Sequence, residues 1–259
     1  MEISVERPDD VHAVLADRRF VPVPPAADGP VGSMAWLRSA VARFSHGPAH
    51  ARRRALVEAE LAAIDPERLG AAAARSTRPA GEVAVAVLGE ALGVRDVDAV
   101  VAALPSVAAV YLAPGTDAAG RLADAAVASL VAQLPPADGA CADGACADGA
   151  CADGACAGEE VVANRIGLLV QAYAATAGLI RAAAVHGSVG DGLREDPPVR
   201  STRRVSTVDA TLGGTVVAAG DVLVLDLAAA GLPFGGEPRL CPGRAHALAI
   251  AAIGAGEAR

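Results

Sequence analysis

Cys241 lies in the run Leu232-Pro233-Phe234-Gly235-Gly236-Glu237-Pro238-Arg239-Leu240-Cys241-Pro242-Gly243-Arg244. Glycine and proline shape that run into a loop, and an alanine-rich stretch that favours helix follows at once. A helix start carries partial positive charge and unpaired N–H donors. Both favour thiolate over thiol, and thiolate is the form that binds a metal. Phe234 and Arg239 suit a large, flat, anionic cofactor. A lone cysteine here has a plainer use, as a small buried apolar residue. The spacing of its neighbours separates the two readings.

Composition narrows the fold. Hydrophobic residues make up 53% of the 259 and aromatics 2%, so alanine, valine and leucine must build the core. Alanine loses least entropy in a helix, so the expectation is a mainly α protein. The formal charge of −8 argues against nucleic acid as a partner. The first residues, Met1 to Glu6, are acidic where a secretory leader needs a basic region. The apolar run Ile166 to Ile180, bounded by Arg165 and Arg181, reads as a buried core helix too short to span a bilayer. These features predict a cytoplasmic protein with reduced thiols and no membrane partner.

Ala-Asp-Gly-Ala-Cys occurs four times in tandem from Ala137 to Cys156 and holds Cys141, Cys146, Cys151 and Cys156. The spacing suits zinc poorly, because zinc sites pair cysteines two to four residues apart. Nor does the repeat carry a large apolar residue to fill a solenoid core. Residues 137–158 are expected to be a low-complexity, flexible insertion within a single domain spanning 1–259.

Along the chain, Asp9 and Asp10 predict a capped helix through Ala16. Ser33–Ala42, Pro48–Ile64 and a run starting at Asp65-Pro66-Glu67 read as helices. Pro79–Leu92 follows. A helix starting at Asp96 should break or kink at Pro105, and Thr116 should cap a run to Leu134. Glu159 to Val185 is one long apolar helix with acids at its positive end. A short helix then ends at Pro197-Pro198. Val199–Val208, Gly214–Ala218 and Val222–Leu227 have strand composition, with turns at Gly213-Gly214 and Gly220-Asp221. His246–Ile253 is helical again.

The cysteine run resembles the heme-ligand loop of the cytochrome P-450 family, Phe-Gly-x-Gly-x-(His or Arg)-x-Cys-x-Gly. Phe234, Gly235, Arg239, Cys241 and Gly243 match, while Glu237 replaces the second glycine and should strain the loop. The resemblance continues elsewhere. His50-Ala51-Arg52-Arg53-Arg54 is similar to the family's His-x-x-x-Arg heme-propionate motif, giving His50 and Arg54, with Arg52 and Arg53 left as a solvated basic face. Asp191-Gly192-Leu193-Arg194 resembles the Glu-x-x-Arg helix, a buried structural ion pair. Arg204 matches a third propionate position, with an exposed strand arginine as the alternative. Ala172-Tyr173-Ala174-Ala175-Thr176 resembles the distal-helix pattern Ala-Gly-x-(acid)-Thr, with Thr176 retained and the acid replaced by Ala175. Thr176 is either catalytic or bonded back to its own helix.

The resemblance implies a truncated, bacterial-type member with a heme-thiolate fold, mainly α with a small sheet. Its expected cofactor is heme b, with Cys241 as the axial iron ligand. Set against that pattern, the sequence is expected to lack the usual opening helix and sheet, a connecting helix before Asp191, the meander before the heme loop and the terminal hairpin. The implied function is a monooxygenase or peroxygenase acting on a small apolar substrate near Ala172, Tyr173 and Thr176. A ferredoxin-type protein would supply electrons. Two alternatives stay open: a heme-binding or accessory protein without oxygen chemistry, and a non-redox isomerase or cyclase using the same pocket.

Overall fold

A computed structural model describes residues 1–113, 115–137 and 157–256. The cysteine repeat, except Ala137, falls outside the described residues. Strand β1 (Glu2–Val5) opens the chain, followed by α1 (Pro8–Ala16) and β2 (Phe20–Val21). Helix α2 (Met34–Ala40) leads through a 3-10 turn, Ala42–Phe44, into α3 (Gly47–Ala62). Then come α4 (Pro66–Arg75), α5 (Ala80–Ala91), α6 (Val97–Tyr111) and α7 (Asp117–Gln133). Helix α8 (Ala157–His186) is followed by α9 (Val189–Glu195), β3 (Ser201–Ser206), β4 (Ala210–Leu212), β5 (Thr215–Val217), β6 (Val222–Asp226) and α10 (Arg244–Ala251).

Side-chain caps place several helix starts where the sequence put them. Asp65, Asp96 and Thr116 each accept a hydrogen bond from a first-turn N–H. Helix α1 differs: Pro8 starts it, and Asp9 and Asp10 sit in its first turn rather than capping it. Pro105 does not end α6. Its ring lies on the exposed side, where water can satisfy the carbonyl it frees, while Val100, Leu104 and Val107 hold the helix to the core.

Helix α8 is the centre of the molecule. It packs against α3, α5, α6, α9 and α10. Its 30 residues match the long helix expected over Glu159 to Val185, and by length and composition it is able to cross a membrane, which corrects the reading of Ile166 to Ile180 as too short. Here it buries Ala163, Ile166, Leu169, Leu179 and Ala183 against neighbouring helices. Small residues let those neighbours approach. A Cβ on Gly192 of α9 would meet the Ala182 backbone at 2.8 Å. One on Gly70 of α4 would meet the Ala249 carbonyl oxygen at 2.9 Å. With so few aromatics, close helix contact replaces side-chain bulk in filling the core.

The sheet orders its strands β1-β6-β3-β2, with β1 parallel to β6 and the other pairs antiparallel. The expected absence of an opening sheet is thus corrected in part: Glu2–Val5 and Phe20–Val21 supply both edges. A second apolar cluster, including Val5, Val11, Leu15, Leu223 and Leu225, joins this sheet to α1. Strands β4 and β5 form a separate hairpin turning at Gly213 and Gly214, both at positive φ.

Arg52 and Arg53 are not a solvated face. Both donate to Glu160, which is 2% exposed, at 2.8–2.9 Å. Arg53 also donates to the Ser39 carbonyl and to Ser45 Oγ. This clamp ties α8 to α3 and to the turn that precedes it. Asp191 and Arg194 pair with each other, yet at 46% and 61% exposure they are not the buried ion pair expected. Gly192 brings the backbone, not the charges, against α8.

Burial pushes the Glu160 carboxyl up, but hydrogen bonds from Arg52 and Arg53 win and hold it below the usual range. With the folded pKa depressed, the stabilisation is complete above the ordinary carboxylate range and is lost as pH falls through the folded value. Glu160→Ala should cost about 3–5 kcal/mol in urea unfolding at neutral pH, since it strands buried guanidinium groups. It should also remove this part of the acid-side loss of stability.

Candidate functional site

The loop between β6 and α10 is closed by its own backbone. Gly235, at φ 73°, donates its N–H to the Leu232 carbonyl at 2.9 Å. Arg239 N–H reaches the Gly236 carbonyl at 3.0 Å, and Cys241 N–H reaches the Phe234 carbonyl at 3.0 Å. The left-handed position belongs to Gly235, and Glu237 is exposed, so glutamate at the second glycine position meets no crowding. Two arginine side chains pin the loop to the helical body. Arg239 donates to the Ser45 carbonyl at 2.7 Å, and Arg54 of α3 donates to the Leu240 carbonyl at 2.8 Å. The Arg244 guanidinium lies 5.5 Å from the Phe234 ring centre.

This loop faces α8 across a cavity of about 660 Å³. Phe234, Arg239, Cys241 and Gly243 line it from the loop side. His50 and Arg54 line it from α3, and Arg204 from β3. Ala172, Ala175 and Thr176 line it from α8. Tyr173 is a correction: it packs on the helical core instead of lining the cavity. Leu168, Gln171, Ala172, Ala175, Thr176 and Leu179 of α8 line the cavity, with Val170 and Ala174 beside them, and residue 173 does not. Thr176 is 4% exposed and its hydroxyl makes no hydrogen bond with the described residues, so the back-bonded alternative is not the one observed.

The electrostatics are one-sided. Five arginines line the cavity, namely Arg43, Arg54, Arg200, Arg204 and Arg239, and no carboxylate does among the described residues. Arg54 pairs with Glu58 and Arg200 with Asp196 at the edges. Arg204 is buried and donates only to Thr202 Oγ1 and the Arg203 carbonyl. Its pKa falls to about 9, first through burial and then through Arg43 and Arg239. Arg239 falls to about 10 for the same kinds of reason. Burial, with help from Arg239 and Arg54, pushes His50 down to about 4. Buried cations without counterions mark a place shaped for an anion.

The Cys241 thiol departs from expectation. Burial raises its pKa, outweighing the Gly243 backbone N–H and the Arg54 charge that lower it. The helix start does not by itself make a thiolate here; a metal ion must take the proton's place.

Among the lining residues that sequence reasoning missed are Arg43 and Tyr111. Arg43 sits in the 3-10 turn before α3, where no periodic pattern marks it. Tyr111 ends α6, 2% exposed, and its hydroxyl has no partner. That it is one of only two tyrosines in the chain was the available signal.

Solved structures that superpose on this chain are cytochromes P-450. BioI, crystallised with an acyl carrier protein ligated to hexadec-9Z-enoic acid, gives a TM-score of 0.73 at 15% identity, covering 98% of this chain and 84% of that one. CYP109E1 from Bacillus megaterium, in complex with testosterone, gives 0.72 at 17% identity, covering 98% and 83%. A thermophilic enzyme from Sulfolobus tokodaii gives 0.67 at 15%, covering 98% and 85%. No family model and no curated protein matches the sequence. The chain has the cytochrome P-450 fold.

His50 supplies a test of the cavity's field. Its folded pKa lies below the unfolded value of 6.5, so the unfolded state binds more protons between 6.5 and about 4. Stability should therefore fall as pH drops through that window. In an NMR titration the His50 ring, assigned with His50→Gln, should stay neutral down to about pH 4. An anion bound in the cavity should raise that midpoint.

Proposed function

We propose that this chain is a heme-thiolate oxidoreductase of the monooxygenase or peroxygenase type. One observation carries the reading. A single thiol, Cys241, opens into an apolar cavity whose charged lining is entirely cationic among the described residues. Heme b needs one axial donor, flat apolar walls and cations for two propionates. The residues present fit each need.

In this reading Cys241 would be the iron ligand, and the loop hydrogen bonds donated by the Cys241, Arg239 and Gly235 N–H groups hold its position before the cofactor arrives. Arg204 and Arg239, with Arg54 and neutral His50, would hold the propionates. Charge-assisted bonds to carboxylates are the strong kind, and here they also relieve the mutual repulsion of the arginines. When bound, the cofactor supplies activation of dioxygen or peroxide, and thiolate donation favours O–O cleavage. Ala172 and Ala175 leave room beside α8 for a small apolar substrate. Thr176 keeps a free hydroxyl that can hold a water at that face.

Ala175 offers no acid to pass protons to the reacting oxygen. That favours peroxide, which brings its own protons and electrons: a C–H bond and hydrogen peroxide give an alcohol and water. The dioxygen route requires a ferredoxin-like donor.

Purified protein loaded with hemin, reduced and exposed to carbon monoxide, should show the strongly red-shifted Soret band of thiolate ligation. Cys241→Ser should lose that band while keeping its helical circular dichroism. Arg204→Gln and Arg239→Gln should each weaken hemin binding at least tenfold, as expected for one charged hydrogen bond. Product formation with peroxide, lost in Cys241→Ser, completes the test. A colourless protein that stays so with hemin overturns the reading. A correct spectrum without turnover under any oxidant leaves a heme-binding protein. Turnover in heme-free protein points to an isomerase or cyclase.

A further inference from the structure

A second hollow, of about 450 Å³, lies beside the main cavity. Arg54, Leu61, Pro242 and His246 line both spaces and so form the wall between them. Two of these residues come from α3 and two from the segment that follows Cys241.

Hydrogen bonds fasten that wall on either side of the cysteine. Before it, the Leu240 carbonyl accepts from Arg54. After it, His246 Nε2 lies 3.1 Å from the Leu61 carbonyl oxygen and 2.9 Å from that of Ile64. Carbonyls only accept, so Nε2 carries the proton and donates to both. Helix α10 has no side-chain cap of its own, with Gly243 at its N-cap. His246 lies in its first turn and ties that turn to the end of α3. The Gly243 N–H in turn hydrogen-bonds the Cys241 sulfur. A line of contacts therefore runs from the α3 carbonyls through His246 and the first turn of α10 to the thiol.

The other ring nitrogen separates two uses of this imidazole. His246 Nδ1 is buried and has no partner among the described residues. A stranded buried acceptor is unfavourable, and an apolar side chain of similar size would fill the place without one. Packing therefore does not account for a histidine here, whereas the Nε2–H does.

We propose that His246 is a positioning residue for Cys241: its Nε2–H clamps the first turn of α10 to the end of α3, closes the wall beside the cysteine and fixes the Gly243 N–H against the sulfur. This rests on the heme-thiolate reading, in which hydrogen bonds to an axial sulfur and exclusion of water tune the iron–sulfur bond.

The test compares His246→Leu, which fills the place without a donor, with His246→Gln, whose amide N–H replaces Nε2–H. The hemin-loaded parent should show the strongly red-shifted carbon monoxide band. His246→Leu should lose most of that band to an unshifted one, and His246→Gln should keep it. A second readout needs no heme. The Cys241 and Ala247 amides, which bond to the Phe234 and Gly243 carbonyls, should exchange with deuterium about tenfold faster in His246→Leu, as expected for loss of one hydrogen bond, while α6 amides exchange as in the parent. NMR of the parent should find the neutral His246 ring protonated at Nε2. An intact red-shifted band in His246→Leu, whatever its Tm, overturns the proposal, because packing then accounts for the residue. Equal loss of the band in both variants does so too, as does a parent ring protonated at Nδ1. If His246→Leu does not fold, the band of His246→Gln decides: kept, it supports the clamp, and lost, it overturns it. A parent that never shows the red-shifted band overturns the heme-thiolate reading; unchanged exchange in His246→Leu then overturns the clamp as well, and faster exchange sustains it.

Discussion

Repulsion among buried arginines is the constraint around which the site is arranged. Burial lowers the proton affinity of Arg43, Arg204 and Arg239, Arg43 lowers that of Arg204 and Arg239 further, and Arg239 and Arg54 add to the effect on Arg204 and Arg239 respectively. Such a cluster is unfavourable in an empty cavity. The protein tolerates it because its scaffold is stable elsewhere: two apolar clusters, the Glu160 clamp and the close packing of α8. An anion entering the cavity turns the same repulsion into attraction.

The scaffold and the site share parts. Arg53 holds Glu160 and touches Ser45, whose carbonyl receives Arg239 of the cysteine loop. One residue further along α3, Arg54 reaches the Leu240 carbonyl. The short run Arg52-Arg53-Arg54 thus faces both ways, fastening α8 on one side and the loop on the other. This explains how a chain with so few aromatic residues positions a loop around one thiol. Ionic and backbone hydrogen bonds do what aromatic packing does in richer cores.

How much was legible in the sequence differed by interaction range. Helix starts at Asp65, Asp96 and Thr116 were readable because capping is decided within four residues. The turn at Gly213-Gly214 was readable because positive φ selects glycine. The loop residues Phe234, Arg239 and Cys241 stood out in the sequence through their match to a known family's loop pattern, and the structure gathers them on one side of the cavity. Arg52 and Arg53 were misjudged because their partner, Glu160, is more than a hundred residues away. Asp191 and Arg194 kept a motif's identities but not its burial. Tyr173 sat in the right segment on the wrong face of its helix.

Sequence by itself determined the local matters: mainly helical structure from alanine, a glycine- and proline-shaped loop, and one cysteine set among spaced neighbours. Tertiary structure alone decided the electrostatics. It gathered Arg43, His50, Arg54, Arg204 and Arg239 from four separate elements around one space that no carboxylate lines among the described residues. It also decided that Cys241 is a half-buried thiol whose pKa burial raises, and that Tyr111 lines the cavity with its hydroxyl unpaired. The reason is that proton affinity and charge balance depend on distance and burial in three dimensions, which neighbouring residues in the chain do not specify.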